Sequence, residues 1–285
     1  MDSFTRDGLR FDVIEWGDDG GGGDGVPVLL LHGFPQTAAS WEPVARRLAA
    51  AGHRVLAPDQ RGYSPGARPE GRRAYRVEEL VDDVVALADA AGAQTVHVVG
   101  HDWGAVVAWA LAALHPERVR TLTAVSVPHP AAFVKAIATS RQFALSWYMY
   151  FFQLPGLPER VIGRPGGLAD AARRAGQSPE RARRDEAALT ARGGLRPALT
   201  GAINWYRAMP FWEHRGLQLT VATPTMLVWS DGDVAISRVS VDATPRWVTG
   251  PYRLEVLHGV SHWIPDETPD RLADLVLEHL GTGAA

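Results

Sequence analysis

The sequence contains no cysteine, and this absence excludes disulfide bonds and thiolate metal sites. No uninterrupted apolar run is long enough to cross a membrane, and residues 1–6 lack the apolar core of a secretory signal. We therefore expect no membrane span and, by default, a cytoplasmic location. The formal net charge of −3 argues against a nucleic-acid partner, because contacts to phosphates need an excess of positive charge.

Two kinds of ligand site are also missing from the sequence. No pair of histidines has the spacing of a zinc site, so we expect no metal. The glycine- and aspartate-rich stretch at 17–25 lacks the Lys-Ser/Thr ending of a phosphate loop, and we interpret it as a flexible connection. We expect no cofactor. A chain of 285 residues, 46% of them hydrophobic, is long enough for one α/β core with an insertion.

The most informative segment is the Gly-x-Asp-x-Gly sequence at 100–104, which has Asp102 at its centre. Thr95 to Val99 before it is short and rich in valine, which is typical of a buried strand. Ala105 to Leu114 after it has the composition of a helix. A sharp strand-to-helix turn between two glycines pushes the middle side chain out at the carboxyl edge of the sheet. The alternative is that Asp102 only caps the helix.

An aspartate at this position changes the expected chemistry, because its carboxylate is already ionised at neutral pH. Attack at an acyl carbon would give an anhydride, which is of little use to an esterase. Attack at a saturated carbon that bears a leaving group gives an alkyl ester, which water can then hydrolyse. The electrophiles expected for Asp102 are therefore epoxides or carbon–halogen bonds.

A second turn follows the apolar run at 28–31 and has the sequence His-Gly-Phe-Pro at 32–35. The sharp strand-to-helix turn around Asp102 is called a nucleophile elbow. In folds with such an elbow, a turn at the position of 32–35 offers one backbone N–H of an oxyanion hole, and the residue after the nucleophile offers the other. We expect these donors to be Phe34 and Trp103. They would hold the second oxygen of Asp102 and later the tetrahedral oxyanion. On its own, this stretch would be better explained by an ordinary turn that needs Gly and Pro.

An acid and a histidine follow the nucleophile along the chain. The apolar runs at 224–229 and 253–257 predict strands, and the turns after them carry Asp231, Asp233 and His262. Loops after successive parallel strands meet at the carboxyl edge of the sheet. We expect His262 to take a proton from the water that attacks the ester, while Asp233 fixes its tautomer and stabilises the imidazolium. Asp231 competes for that role, because Asp-Gly-Asp is also a common turn sequence.

With these motifs the chain resembles the α/β-hydrolase superfamily, and within it the epoxide hydrolases, over most of its length. The matching segments beyond the nucleophile, acid and histidine are His32–Pro35, Pro58–Tyr63, Tyr148–Gly156 and Asn204–Arg207. The resemblance implies an α/β-hydrolase fold: a mostly parallel sheet with helices on both faces and an inserted helical lid. It also implies that Tyr148 and Tyr206 are the two phenols that hold the epoxide oxygen.

Acid–base chemistry agrees with that assignment. Opening an epoxide releases an alkoxide, so the site needs a proton donor of moderate acidity, and a phenol with an unperturbed pKa of about 10 is suitable. The alternative is that the tyrosines only pack within an aromatic-rich stretch, which is our interpretation of Tyr150. The residues expected to contact the substrate are Phe34, Trp103, Tyr148, Trp205 and Tyr206.

Two other functions remain open at this point. A halide leaving group needs N–H donors in a dry pocket instead of a proton, and Trp103 could supply one. A hydrolytic haloalkane or haloacid dehalogenase with the same Asp102 nucleophile is therefore the second hypothesis. The third is a non-catalytic ligand-binding protein of the same fold, which the presence of a complete set of reactive groups disfavours. The expected partners are a small apolar epoxide and water, and the sequence predicts no oligomeric state.

The order of elements predicts an α/β core at 1–128, a helical lid at 129–216 and the rest of the core at 217–285. We interpret the lid's arginine clusters at 173–174 and 181–184 as solvated helix faces. We expect His101 to point into the sheet and make a structural hydrogen bond. The predicted strands are Leu9–Trp16 as an edge strand, Val28–Leu31, Arg54–Ala57, Thr95–Val99, Leu122–Val127, Pro224–Trp229 and Arg253–Leu257. The predicted core helices are Ala38–Ala51, Val77–Ala91, Ala105–Leu114 and Asp270–Leu280.

Overall fold

The structure is a computed structural model that describes residues 1–17, 25–213 and 219–284. Its strands are β1 (Ser3–Arg6), β2 (Leu9–Trp16), β3 (Val28–Leu31), β4 (Val55–Pro58), β5 (Val96–His101), β6 (Val119–Val125), β7 (Thr225–Ser230) and β8 (Tyr252–Leu257). Its first helices are α1 (Glu42–Ala50), α2 (Val77–Ala90), α3 (Trp103–Leu114), α4 (Pro130–Thr139), α5 (Gln142–Leu145), α6 (Trp147–Phe152) and α7 (Leu157–Ile162). The later helices are α8 (Gly167–Arg174), α9 (Pro179–Ala191), α10 (Leu195–Ala208), α11 (Arg238–Ala243), α12 (Ile264–Glu267) and α13 (Pro269–Leu280).

All of these strands belong to one sheet, in the order β1-β2-β4-β3-β5-β6-β7-β8. The pairs β1/β2 and β2/β4 are antiparallel, and every other pair is parallel. The predicted α/β-hydrolase arrangement is confirmed. In a parallel sheet the carboxyl ends of the strands share one edge, so the segments that follow β3, β5, β7 and β8 meet there.

The interpretation of Leu9–Trp16 as the edge strand is wrong. Ser3–Arg6 pairs with it on its outer side and takes the edge position. The physical reason is the shortness of this strand, since four residues are too few to give a clear alternation of apolar and polar side chains. Phe4 is its one large apolar side chain, and the ring stacks on Phe11 with centroids 4.6 Å apart.

Helices cover both faces of the sheet. Val28 and Leu30 belong to an apolar cluster with α1 and α13, whereas Leu29 and Leu31 belong to the cluster with α2 and α3. This division arises because successive side chains of a strand point to opposite faces. It explains why the short run at 28–31 is apolar without interruption.

The inserted segment lies between β6 and β7 and contains α4 to α10. The described part of this segment, up to residue 213, contains helices and turns but no strand. The predicted end of the lid at 216 lies outside the described residues, and so do residues 18–24 of the predicted flexible connection.

Candidate active site

The turn between β5 and α3 holds Asp102 in a strained conformation. Its φ angle is +52°, in the region that side chains rarely adopt. A Cβ atom at Gly100 would collide with the backbone of Gly104, so this tight turn requires glycine there. The carboxylate of Asp102 does not cap α3, which contradicts the helix-cap alternative. The turn instead presents the carboxylate at the carboxyl edge of the sheet.

Two backbone N–H groups hold this carboxylate. The Phe34 N–H donates to Oδ1 of Asp102 at 2.8 Å, and the Trp103 N–H donates as well. The chain can approach so closely because residue 33 is glycine, where any side chain would collide with that of Asp102. Burial alone would raise the pKa of Asp102. The contact with His262 and the positive charge of that ring outweigh burial and lower the pKa. The carboxylate is therefore ionised at neutral pH.

His262 lies between two carboxylates. Its Nδ1 is 2.7 Å from Oδ2 of Asp233, and its Nε2 is 3.5 Å from Oδ2 of Asp102. Burial alone would lower the pKa of His262, but the two carboxylates raise it to about 10. Asp233 is itself fixed by backbone N–H groups from Ala235 at 2.7 Å and Ile236 at 2.9 Å. This arrangement sets the orientation of the imidazole ring.

Asp231 occupies a different place from Asp233. It contacts Nδ1 of His258 at 2.7 Å and accepts the Gly259 N–H at 2.8 Å. The side chain of His258 is 83% exposed, so this pair is on the surface. Of the two competing acids, Asp233 is the one whose carboxylate reaches His262.

Two buried side chains hold the backbone of His262 and were missed as site residues. Nε2 of His101 and Oγ of Ser126 both bond to the His262 carbonyl oxygen, at 3.0 Å and 2.8 Å. Burial lowers the pKa of His101 to about 4, so the ring is neutral and Nε2 donates. The expected structural hydrogen bond of His101 therefore exists. Ser126 lies directly after β6 and has a φ of +68°. No sequence pattern indicates that backbone angle.

The two tyrosines lie together across the site. The rings of Tyr148 and Tyr206 are 6.1 Å apart between centroids and nearly perpendicular, at 80°. Burial raises the pKa of both phenols, and the negative charge of Asp102 raises it further. Both phenols are therefore protonated at neutral pH and can donate hydrogen bonds. Tyr150 on the same helix is different, because it is half exposed and contacts the ring of Phe143.

Aromatic side chains form the wall around the phenols. The Phe34 ring contacts Tyr206, with centroids 5.7 Å apart, and also Phe152, at 5.4 Å. Phe152 was missed by the sequence analysis, although it belongs to the same aromatic-rich stretch as Tyr148. The indole of Trp103 packs edge to face against Tyr206, with ring centroids 4.8 Å apart. Trp205 lies behind this wall, since its Nε1 donates to the carbonyl oxygen of Arg61 at 2.8 Å.

A buried polar cluster joins the inserted helices to the site. Nε2 of Gln36 donates to Asp185 at 3.3 Å and to Asp266 at 3.0 Å. Nε2 of Gln177 donates to the same two carboxylates at 2.6 Å and 2.9 Å. Arg184 bonds to Asp185 at 2.8 Å and to Asp266 at 2.9 Å. The cluster therefore ties α9 to the turn after β3 and to α12, which begins just after His262.

The interpretation of the arginines at 181–184 as only a solvated face is wrong for Arg184. Its guanidinium forms ion pairs with two buried carboxylates, Asp185 and Asp266. Arg192 forms a second ion pair across the same boundary, with Asp59. Breaking a buried pair by removing one partner costs about 3–5 kcal/mol, so these contacts fix the inserted helices on the core.

Comparison with known proteins gives the same fold. A family model described as the alpha/beta hydrolase fold matches residues 26–269. Epoxide hydrolase A of Mycobacterium tuberculosis is 35% identical, over 96% of this chain and 94% of that protein. The AB hydrolase superfamily protein YfhM of Bacillus subtilis is also 35% identical, over 90% of this chain and 91% of that protein. The chain is also similar to the crystal structure of Epoxide Hydrolase A from Mycobacterium thermoresistibile, with 30% identity and a TM-score of 0.79. The match covers 98% of this chain and 97% of the chain in that structure.

The chain therefore belongs to the α/β-hydrolase fold family, which its sheet order and its strand-to-helix turn also define. Within that family it belongs with the epoxide hydrolases. No helix in the described part of the chain is long and apolar enough to span a membrane.

Proposed function

We propose that this protein opens a small apolar epoxide to a vicinal diol through a covalent ester at Asp102. The observation that carries the proposal is the pair of protonated phenols, Tyr148 and Tyr206, which face an ionised aspartate. A carboxylate attacks carbon, and a phenol supplies the hydrogen bond that the departing alkoxide needs. Neither group alone would suit this reaction.

In the first step, a carboxylate oxygen of Asp102 attacks one epoxide carbon and the carbon–oxygen bond breaks. Tyr148 and Tyr206 donate to the epoxide oxygen and stabilise the alkoxide as it forms. The N–H groups of Phe34 and Trp103 hold the carboxylate in the orientation for attack. One phenol passes its proton to the alkoxide and regains a proton from the solvent, so the product of this step is a hydroxyalkyl ester on the enzyme.

In the second step, water attacks the carbonyl carbon of that ester. His262 removes a proton from the water, and Asp233 stabilises the imidazolium that results. The N–H groups of Phe34 and Trp103 then serve as the oxyanion hole for the tetrahedral intermediate. On collapse, the departing alcohol oxygen takes the proton of the intermediate's hydroxyl group, so the diol leaves, the Asp102 carboxylate is restored and His262 keeps the proton from water.

Residues 129–216 act in this proposal as a lid that supplies both phenols and much of the apolar wall. The aromatic rings of Phe34, Trp103 and Phe152 around the phenols favour an apolar substrate. Trp205 contributes from behind Trp103, with ring centroids 5.7 Å apart.

The dehalogenase hypothesis is weaker for one specific reason. The indole of Trp103, which would have to hold a halide, packs edge to face against Tyr206, with ring centroids 4.8 Å apart. A protein that only binds ligands is distinguished by turnover: it would bind an epoxide in calorimetry and release no diol.

A single-turnover reaction in heavy-oxygen water tests the covalent mechanism. With enzyme in excess over a styrene-oxide-type substrate, the label should enter the carboxylate of Asp102 and be absent from the first diol. A diol that is fully labelled in the first turnover would mean direct attack by water and would reject the proposal. A parallel panel of haloalkanes, assayed for chloride and bromide release, tests the dehalogenase hypothesis.

A further inference from the structure

The outer side of helices α5 to α7 exposes a group of large apolar side chains. Trp147 is 65% exposed and Phe143 is 59% exposed, although both belong to residue types that are usually buried. We call this group the lid apolar patch, and its members are Phe143, Trp147, Tyr150, Leu154, Leu157 and Val161. An exposed group of this kind marks a surface that binds another molecule.

Two aromatic members of the patch are in contact, and the third contacts Phe151 on the same helix. The rings of Phe143 and Tyr150 are 5.4 Å apart between centroids, and the ring of Trp147 is 6.3 Å from that of Phe151. Leu154 lies two residues after the end of α6, and the next helix, α7, carries Leu157 and Val161. The patch is therefore formed by consecutive elements of one segment.

The exposed charges of this segment have one sign. Between residues 130 and 166 the exposed charged side chains are Lys135, Arg141, Arg160 and Arg164. The segment has one acidic residue, Glu159, and it is buried in an ion pair with Arg207 at 2.6 Å. Among the described residues, none of the four exposed cations has an acidic partner within 4.0 Å. The next helix differs, because Arg173 of α8 pairs with Asp170 at 3.2 Å.

We propose that the lid apolar patch and its cations bind the surface of an anionic lipid bilayer. Tryptophan and tyrosine favour the membrane–water interface, where an amphipathic ring contacts both acyl chains and headgroups. Exposed lysine and arginine side chains of the same segment are attracted to anionic headgroups. A second copy of the chain fits this face less well, since a two-fold contact would bring the same cations against each other.

The position of the patch gives the binding a role in substrate supply, and this role rests on the proposed function. Helix α6 carries Trp147 and Tyr150 on its exposed side and Tyr148 on the side of the active site. A bilayer at this face would place dissolved apolar epoxides beside the lid. The binding itself does not depend on the reaction, so it can be tested separately.

The test is co-sedimentation of the full chain with two kinds of vesicle. One kind is phosphatidylcholine mixed with phosphatidylserine, and the other is phosphatidylcholine alone. We expect binding to the anionic vesicles that weakens with salt and is much weaker on neutral ones. Reversal of charge in Arg141→Glu should weaken binding about fivefold or more, since each cation near an anionic surface contributes about 1 kcal/mol. Trp147→Ala should weaken binding to a similar degree.

Two matched variants control for charge and exposure elsewhere. Arg183→Glu reverses an exposed cation on α9, and Val239→Ser removes an exposed apolar side chain on α11. Both should bind anionic vesicles like the unmodified protein, and thermal unfolding should verify that every variant is folded. No binding of the unmodified protein to anionic vesicles would overturn the proposal, and so would equal weakening by the control variants. A dimer in solution that Trp147→Ala dissociates would assign the face to a second copy and overturn it as well.

Discussion

Nε2 of His262 lies 3.5 Å from Oδ2 of Asp102. The charge of Asp102 is one of the causes that raise the pKa of His262 to about 10, so the ring is protonated while the carboxylate is free. An ester at Asp102 carries no charge and would remove that cause. The pKa of His262 would then fall at the stage of the reaction that needs a neutral base.

This coupling predicts that Asp102→Asn lowers the pKa of His262. The amide keeps the size of the side chain and removes its charge, so the pKa should move from about 10 toward its ordinary value of 6.5. The measurement is titration of the imidazole signals by nuclear magnetic resonance. His258→Gln in the Asp102→Asn background should leave the shift of His262 unchanged. A pKa that stays near 10 would show that Asp233 alone sets it.

His262→Gln should still allow alkylation of Asp102 but stop hydrolysis, because the attacking water loses its base. Mass spectrometry of the variant after exposure to an epoxide should find one substrate adduct on the peptide with Asp102. His258→Gln is the matched control, since His258 is exposed and pairs with Asp231, and it should turn over normally. Normal turnover by His262→Gln would reject His262 as the base.

Asp233→Asn should slow ester hydrolysis by about 10⁴-fold, by analogy with the acid of a serine-protease triad, because the amide favours the wrong tautomer of His262. The comparison variant is Asp231→Asn, which changes the same turn and leaves the contact to His262 intact. Single-turnover kinetics should show a normal rate of alkylation and a slow rate of diol release for Asp233→Asn. Equal defects in the two variants would point to damage of the turn itself.

Tyr148→Phe and Tyr206→Phe should each slow alkylation by about 10²–10³-fold, a loss of about 2.7–4 kcal/mol, by analogy with one oxyanion-hole donor. Each change removes a hydroxyl that donates to the alkoxide and leaves the ring in place. Rapid-quench measurement of ester formation gives the rate. Tyr150→Phe is the control, because Tyr150 is half exposed on the outer side of the lid. An unchanged rate in the double Tyr148→Phe/Tyr206→Phe variant would reject the phenols as donors.

The protein should lose stability as the pH falls from 6.5 to about 5, before most carboxylates are protonated. Burial lowers the pKa of His32, His101 and His129 to about 4, so these rings stay neutral in the folded state and take up protons on unfolding. Their stabilising effect is complete above pH 6.5 and is lost as the pH falls toward 4, by up to about 1.4 kcal/mol per pH unit for each ring. The contribution of His262 to stability has the opposite pH dependence, because its raised pKa favours the folded state below pH 6.5. Urea unfolding at several pH values measures how the free energy of unfolding changes with pH. His129→Gln should make that change smaller.

Local signals were enough to predict the elbow and the fold. The glycines around Asp102 act within a few residues, and the runs at 28–31 and 224–229 are apolar because strands inside the sheet are covered on both faces. Asp233 was the predicted acid, but Asp231 stayed an alternative, since both belong to one turn and the direction of each side chain depends on that turn's backbone. The contacts of His101 and Ser126 with His262 join residues more than 130 positions apart, and sequence patterns do not record such pairs.

The phenols proposed as proton donors belong to the segment between β6 and β7, while the aspartate, the histidine and its acid lie in turns that follow strands of the sheet. In the proposed mechanism, formation and hydrolysis of the ester therefore depend on one part of the chain, and the nature of the leaving group depends on another. Replacement of the inserted helices would keep the nucleophile and its base and would change the residues that bind the leaving group. In evolution or in the laboratory, the same sheet can thus acquire a new electrophile by change in a single continuous stretch of the gene.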